Sequence, residues 1–270
     1  MSRVIKNIEL TAKMRRVRVI PILLFSEGGL YKTVQFTKPT YIGDPINAVK
    51  IFNEKEVDEL LLLDIEASRK NRRPDFKRIA EIAGEAFMPM GYGGGVMTIE
   101  DIKQIIFAGF EKVVLGTSAI EQSDLIRKGA SLVGSQSIVV SIDYKANLFG
   151  KLRVYVRGGQ DSTGLDPVSY ARKMEDQGAG ELILHSIERD GRYTGYDTIL
   201  IEQVAQAVDV PIVACGGASA LADFALAIQA GASAVAAGSI FVYRGKTKGI
   251  LPNYPSQDEL RTELFTKLQG

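Results

Sequence analysis

The regular alternation of apolar runs with amphipathic stretches is the feature that most constrains the fold. Eight apolar, β-branched runs recur along the 270-residue chain. Such runs are typical of strands buried on both faces. They are Arg18–Phe25, Glu59–Asp64, Met88–Gly93, Lys112–Gly116, Ile138–Asp143, Glu181–Ser186, Pro211–Cys215 and Ala234–Gly238. Between them lie stretches of helical period, at Pro45–Phe52, Phe76–Ala83, Ile99–Ile106, Val168–Gln177, Thr198–Ala207 and Leu221–Ile228. Eight alternating units favour the α/β class, and within it a closed (βα)8 TIM barrel over an open parallel sheet.

An internal repeat supports the barrel. Residues 94–118 align without a gap on residues 216–240, an offset of 122 residues, so that Asp101 matches Asp223 and the strand-end glycines coincide. The sequence therefore predicts a single domain over residues 1–270, with a half-barrel repeat covering roughly residues 15–130 and 131–250. Two longer polar segments, Ser26–Gly43 and Tyr144–Asp166, are expected to be loops on the catalytic face with a lid or binding role.

Charge and cysteine content narrow the function class. A formal net charge of +1 gives no basic excess for nucleic acid. The one cysteine, Cys215, has no partner for a disulfide and is expected to be a buried core residue of a cytoplasmic protein. Residues Met1–Arg18 do not resemble a signal peptide, and no apolar stretch reaches the roughly 20 residues of a membrane helix.

Glycines end four of the predicted strands, two in each half. Such positions let backbone N–H groups approach an anion, and in barrels the loops after the last two strands often bind phosphate. Because the repeat supplies a second set, the sequence predicts a substrate with a phosphate at each end. The alternative is that these glycines only form tight turns. The strand-end runs are Gly93–Gly95, Gly116–Ser118, Gly216–Gly217 and Gly238–Ser239.

Three carboxylates and the only histidine lie at predicted strand ends. Asp143 directly follows an apolar strand and is the best general acid or base; Asp64 and Asp190 are alternatives, each of which can instead be a turn or capping residue. His185 is read equally as catalytic or structural. No cluster has metal-ligand spacing, so neither a metal nor a cofactor is expected.

Four charged residues begin predicted strands: Arg18, Glu59, Lys112 and Glu181. Burying them unpaired would be costly, so they are expected to form a closed ring of salt bridges at the bottom of the barrel.

Longer motifs resemble the cyclase subunit of imidazole glycerol phosphate synthase over roughly Arg15 to Tyr243. They are LLLDIEAS, YGGGVMTIEDI, GSQSIVVSIDYK, TGLDP, GAGELIL, ERDG, GYD and PIVACGGA. The resemblance implies a heterodimer with a glutaminase, whose ammonia enters the barrel at the bottom and reacts at the top with a bis-phosphorylated substrate.

Carried over by position, the resemblance assigns the four ring residues to an ammonia gate. It assigns Asp143 as one of two catalytic aspartates and Lys32, the lysine of the first loop, as a further catalytic residue beside His185. The phosphate contacts it implies are Gly95, Gly116 and Thr117 on one side and Asp190, Gly191, Gly217, Gly238 and Ser239 on the other.

The chain also departs from that family. Leu24 stands where the second catalytic aspartate is expected, Gly116 replaces an asparagine, His185 replaces a threonine, and the tail Lys246–Ser256 differs. Together these changes resemble a branch that supplies ammonia to a sugar amidotransferase making acetamidino sugars of surface polysaccharides. The alternatives are a true cyclase-lyase of histidine biosynthesis, a non-catalytic scaffold for a glutaminase, and a sugar isomerase, against which the ring argues.

Overall fold

Hydrogen bonding between the apolar runs closes them into a barrel in a computed structural model, which describes residues 17–122, 124–245 and 249–268. Eight strands pair in parallel in the order β1, β4, β5, β6, β7, β10, β11 and β12, and the pairing of β12 with β1 closes the ring. The predicted (βα)8 barrel is thereby confirmed. The strands are β1 (Arg18–Ser26), β2 (Gly29–Val34), β3 (Thr37–Gly43), β4 (Leu60–Asp64), β5 (Met90–Gly93), β6 (Lys112–Leu115), β7 (Ile138–Ala146), β8 (Leu152–Val156), β9 (Asp161–Ser162), β10 (Glu181–Ser186), β11 (Ile212–Cys215), β12 (Ala234–Ala237), β13 (Tyr243–Arg244) and β14 (Gly249–Ile250).

The helices lie between the barrel strands, as the periodicity predicts. Among the described residues, none is long and apolar enough to cross a membrane. The α-helices are α1 (Pro45–Glu54), α2 (Phe76–Ala83), α3 (Ile99–Phe107), α4 (Thr117–Glu121), α5 (Leu125–Val133), α6 (Pro167–Asp176), α7 (Thr198–Ala205), α8 (Leu221–Gln229), α9 (Ser239–Val242) and α10 (Gln257–Glu259). Short 3-10 turns cover Ser135–Ser137 and Thr266–Leu268, and a π-helical turn covers Leu260–Phe265.

Two apolar layers hold the barrel together, because alternate residues of a strand point to opposite faces. On β1, Val19 and Leu23 pack outward with the helices, whereas Ile20, Ile22 and Leu24 point into the lumen. The inner cluster also contains Leu61, Val114, Val139, Ile183, Val213, Cys215, Ala234 and Ala236. The lumen is therefore apolar above the strand beginnings, and Cys215 is buried in it as expected.

The two predicted polar loops are instead β-hairpins. The first, β2 and β3, extends β1 beyond the barrel through antiparallel pairing of Leu24 with Tyr31. The second, β8 and β9, extends β7 from Asp143 paired with Tyr155 onward. Both start from carboxyl ends of barrel strands, so they stand over the mouth, where a lid was predicted.

The 122-residue offset recurs in the geometry. Asp101 Oδ2 accepts hydrogen bonds from the N–H groups of Met97 and Thr98, and Asp223 Oδ2 accepts them from Ser219 and Ala220, each 122 positions further on. Each aspartate thereby satisfies free N–H groups at the start of its helix. The two halves thus build equivalent helix starts below equivalent strand-end glycines.

The chain termini are described in part. Residues up to 16 and 246–248 lie outside the described residues, so the predicted N-terminal segment and the start of the divergent tail do too. Beyond them, the buried Tyr254 packs on Phe241 and its Oη donates to Val19 O at 2.9 Å. This bond attaches the tail to the first barrel strand.

Candidate functional site

The four charged residues at the strand beginnings form a closed ring. Lys112 Nζ lies 2.9 Å from Glu59 Oε2 and 2.7 Å from Glu181 Oε2, and Arg18 forms ion pairs with the same two glutamates. Glu59 and Glu181 occupy equivalent positions in the two halves, 122 residues apart. The ring is formally neutral, which offsets the cost of burying its members.

The glutamates are the deeply buried members of the ring. Their side chains are 4% and 6% exposed, against 16% for Lys112 and 28% for Arg18. Burial alone would lower the pKa of Arg18, but the hydrogen bonds and charges of Glu181 and Glu59 outweigh it and raise that pKa. Glu59 Oε1 is buried without a hydrogen-bond partner among the described residues. This oxygen is an acceptor left available at the ring.

Two adjoining cavities occupy the opposite end of the barrel. The first has an empty volume of about 810 Å³, open to solvent, and the second about 390 Å³. Both are lined by Leu24, His185 and Asp190, so these three residues mark where the cavities meet. A ligand spanning both would pass directly over Leu24.

The predicted phosphate-binding residues divide between the cavities. Gly116 and Thr117 line the first. Asp190 lines both, and Gly191, Gly217, Gly238 and Ser239 line the second. Gly95 lines neither, because its N–H donates to Ser68 Oγ at 3.4 Å, and it is Ser68 that faces the first cavity.

A cluster of carboxylate, imidazole and carboxylate lies at the junction. His185 Nδ1 is 3.8 Å from Asp143 Oδ1, and His185 Nε2 is 3.6 Å from Asp190 Oδ1. Asp143 also accepts a hydrogen bond of 2.8 Å from Ser141 Oγ. The imidazole, 7% exposed, thus lies between two acidic groups that the sequence identified only singly.

The surroundings shift these groups in different directions. Burial raises the pKa of Asp143, although His185 and Ser141 act against it. Burial alone would raise the pKa of Asp190, but His185, Lys32 and Thr33 outweigh it and lower that pKa. For His185, burial is outweighed by neighbouring Cys215 and Asp190, which raise its pKa well above the usual value. The site therefore holds one carboxyl suited to proton exchange beside one that stays ionised.

Asp190 contributes to the second cavity through its neighbours. Its side chain accepts from Thr33 Oγ1 at 3.2 Å and its carbonyl accepts from Gln35 N at 3.0 Å. Through these two bonds Asp190 joins the turn that precedes Gly191 to the first hairpin.

Lys32 lines the second cavity together with the glycines predicted to bind phosphate, whereas Asp143 does not line that cavity. Its Nζ is so close to Gly238 that a Cβ there would be 1.8 Å away. Burial lowers the pKa of Lys32, and the charge of Asp190 opposes that shift. The Lys32 side chain makes no hydrogen bond or ion pair with the described residues, so its ammonium faces the second cavity without a direct partner.

Asp64, the third carboxylate candidate, is fully used within the protein. Its Oδ1 accepts from the N–H groups of Glu66 and Ala67, and its Oδ2 pairs with Arg72 at 2.9 Å. It is therefore a turn residue, the alternative left open by the sequence. No three metal-ligating side chains are grouped to hold a metal ion within the described ranges.

Several residues of the first cavity had no signal in the sequence. Phe36 packs edge-on against His185 with ring centroids 4.7 Å apart. Arg69 reaches the same cavity from the loop after β4, and Thr33, Ser68 and Ser141 add hydroxyl groups. Their positions depend on how the hairpins and loops fold over the mouth, which no local pattern reports.

Comparison with known proteins places the chain in a family. The profile of the family "Histidine biosynthesis protein" matches residues 18–248. A relative from Pseudomonas aeruginosa is 49% identical over 248 residues, 92% of this chain and 99% of the relative; its name assigns it provisionally as imidazole glycerol phosphate synthase subunit hisF2. A Vibrio vulnificus relative, named provisionally as subunit hisF3, is 44% identical over 254 residues, 93% of this chain and 98% of the relative.

A third relative carries the name without reservation. The imidazole glycerol phosphate synthase subunit HisF of Streptomyces griseus is 42% identical over 225 residues, 83% of this chain and 90% of that protein. The segment matched by the family profile, residues 18–248, spans every barrel strand. The chain belongs to the histidine biosynthesis protein family.

Proposed function

We propose that this chain is the barrel subunit of a glutamine amidotransferase complex of the imidazole glycerol phosphate synthase type. It takes ammonia from a glutaminase partner at the ring of Arg18, Glu59, Lys112 and Glu181. It then passes the ammonia through the lumen to a phosphorylated ligand at the mouth. The neutral, closed ring of ion pairs below an apolar lumen is the observation that carries this proposal.

The lumen suits neutral ammonia better than the ammonium ion. Above the ring it is lined by aliphatic side chains such as Ile20, Val139 and Val213. A desolvated ammonium ion is expensive in such surroundings, whereas neutral ammonia is not. A lumen of this kind therefore passes ammonia and keeps it from being protonated before it reaches the mouth.

A partner is expected at the ring end. The α-to-β connections of a barrel lie at that end; Phe87 (89% exposed) lies in the connection before β5, and Phe107 (95% exposed) is the last residue of helix α3, next to the connection before β6. Exposed aromatic residues are enriched in protein interfaces. These two side chains favour a protein partner there, which on this proposal is the glutaminase.

The residues at the mouth favour an anionic ligand, but they also favour a reaction other than cyclisation. Lys32 and the glycines of the second cavity are placed to bind phosphate, and Asp143 with its raised pKa is suited to proton transfer. Leu24, 7% exposed at the junction, can neither donate nor accept a proton. We therefore propose that the ammonia serves a sugar amidotransferase that forms acetamidino sugars for surface polysaccharides.

A second candidate is the cyclase-lyase of histidine biosynthesis itself. It is favoured by the His185 imidazole, which lies 3.8 Å from Asp143 and lines both cavities together with Leu24. An imidazole there could replace the proton transfer that a carboxylate at position 24 would perform. In this case the substrate is the bis-phosphorylated ribulosyl-formimino compound and the products are imidazole glycerol phosphate and aminoimidazole carboxamide ribotide.

The experiment combines the purified chain with a cognate glutaminase, glutamine and the bis-phosphorylated substrate, and measures the imidazole product. If our proposal holds, glutamine hydrolysis is stimulated on complex formation while no imidazole product forms. Robust product formation would establish the cyclase-lyase. Absence of both glutaminase stimulation and complex formation would refute the amidotransferase role as a whole.

A second experiment repeats the imidazole assay with the variant Leu24→Asp. If Leu24 is what blocks cyclisation, a carboxylate there raises imidazole formation by about 10²-fold or more. Leu63→Asp is the matched control, because Leu63 pairs with Leu24 on the neighbouring strand and lines the same cavity. An equal gain in both variants, or a gain in neither, would contradict the role given to position 24.

A further inference from the structure

Two hairpins cover the mouth, and one side chain between them contacts both. Arg69 Nη2 donates to Phe36 O at 3.1 Å, in the turn of the first hairpin, and to Gly158 O at 2.6 Å, in the turn of the second. Its Nε also approaches Arg157 O at 3.4 Å. A planar guanidinium presents several donors in fixed directions, so a single arginine can hold two backbone segments at once.

The charge of Arg69 is not used in an ion pair. Its neighbours Arg72 and Arg73 pair with Asp64 and Asp101. Within the described part of the chain, the Arg69 side chain donates to three backbone carbonyls, and no carboxylate lies at ion-pair distance from it. Its hydrogen bonds therefore go to the hairpins rather than to a charged partner on its own loop.

Both turns are held in an uncommon conformation. Gln35 and Phe36 form the two-residue turn of the first hairpin with φ of 54° and 60°. In the second, Arg157 has φ of 50°. Non-glycine residues avoid this left-handed region unless surrounding contacts hold them there. The carbonyl bonds to Arg69 are such contacts, since they are made by Phe36 and by the segment 157–158.

We propose that Arg69 is a positioning residue that fastens the two hairpins together as one lid over the first cavity. The lid brings Phe36 onto His185 and Gly158 into the cavity wall. The purpose of such a lid rests on the proposed function, in which the mouth must retain ammonia and exclude water during transfer. The fastening itself depends only on the geometry.

The glycines of the second hairpin offer a matched pair of variants. A Cβ at Gly158 would lie 2.4 Å from Arg69 Nε and 2.7 Å from its Nη2, whereas one at Gly164 would meet nothing within 4 Å. Both glycines have left-handed φ, 63° and 73°, so alanine is similarly strained at either position. Only Gly158→Ala displaces the arginine.

The test is amide hydrogen exchange of the full chain, followed by mass spectrometry, on peptides covering residues 33–38 and 155–162. Gly158→Ala and Arg69→Gln are each expected to speed exchange in residues 33–38 about tenfold, while Gly164→Ala leaves that segment unchanged. Because Phe36 also lies near Gly159, a change at Gly158 has two routes to the first hairpin, through Phe36 and through Arg69. The double variant of Gly158→Ala with Arg69→Gln distinguishes these routes. If Arg69 carries the coupling, Gly158→Ala adds nothing further in the Arg69→Gln background.

Arg69→Lys tests whether the planar guanidinium or only its positive charge holds the hairpins. The lysine keeps the positive charge but not the planar set of donors, so it is expected to speed exchange in both hairpins as Arg69→Gln does. Protection equal to the unaltered chain would show that charge alone holds the lid and would overturn the proposal. Faster exchange confined to one hairpin, or spread equally through the barrel strands, would overturn it too. No partner or substrate enters these measurements, so they stand or fall separately from the imidazole assay.

Discussion

Glu181→Gln is the sharpest test of the ring, because it removes one charge and keeps the shape of the side chain. Glu181 accepts from both Arg18 and Lys112 and is 6% exposed. The substitution leaves two cations facing only Glu59. Removing one partner of a buried ion pair costs about 3–5 kcal/mol. Arg18 is 28% exposed and water can solvate it, so the loss in the free energy of unfolding is expected near the lower end, about 3 kcal/mol.

Urea unfolding measures that loss, with Glu121→Gln as the control. Glu121 pairs with Arg157 at 2.8 Å, but both side chains are 44% exposed, so its loss is expected to stay below about 1 kcal/mol. In the complex, the same Glu181 variant should lower the yield from glutamine more than the yield from added ammonium, because only the former uses the ring. A Glu181→Gln cost no larger than that of Glu121→Gln would refute the account of the ring as a buried, mutually dependent network.

Two further predictions concern the mouth. Lys32→Met is expected to raise the free energy of unfolding without ligand by about 1 kcal/mol, because it removes a buried, unpaired ammonium. It is also expected to weaken inorganic phosphate binding at least about tenfold, measured by calorimetry; unchanged affinity would exclude Lys32 from the anion site. His185 is the only histidine, so its NMR titration is unambiguous and should have a midpoint above the ordinary value of 6.5. Because its folded pKa is raised, its contribution to stability is full below pH 6.5 and is lost as pH rises through that midpoint. A midpoint at or below 6.5 would contradict the Asp143–His185–Asp190 cluster.

The barrel strands were predictable because burial on both faces demands continuous apolar runs. Each observed barrel strand lies within three residues of its predicted ends. The first hairpin was missed because its second strand, Thr37–Gly43, is largely exposed and has the polar pattern of a loop. Helix α5 was missed because Gly129 interrupts its pattern. The structure explains that residue, since a Cβ there would lie 2.9 Å from Ile102 and 3.0 Å from Ile138.

The candidate site divides in the same way. The ring was predictable because charges at the starts of apolar strands must be paired, and strand order alone brings four such starts together. At the mouth, individual residues were predictable from the sequence, but their contacts with one another were not. The pairing of His185 with Asp190 depends on the turn that follows β10, and the contacts of Arg69 are to backbone carbonyls, which any sequence provides.

The departures from the family pattern act together on the charge of the mouth. The resemblance implies an aspartate at position 24 and a threonine at position 185; relative to those residues, Leu24 carries no negative charge and His185 adds a group whose raised pKa favours the positive form. Both changes make the junction of the cavities more favourable to an anion, in line with the buried ammonium of Lys32. The same changes disfavour proton transfer. At the junction of the cavities, Asp143 has a raised pKa, whereas the lowered pKa of Asp190 keeps that carboxyl ionised. On our proposal, such a mouth binds a phosphorylated ligand but lacks the paired acid and base of a cyclisation, which is the combination expected of a subunit that delivers ammonia to another acceptor.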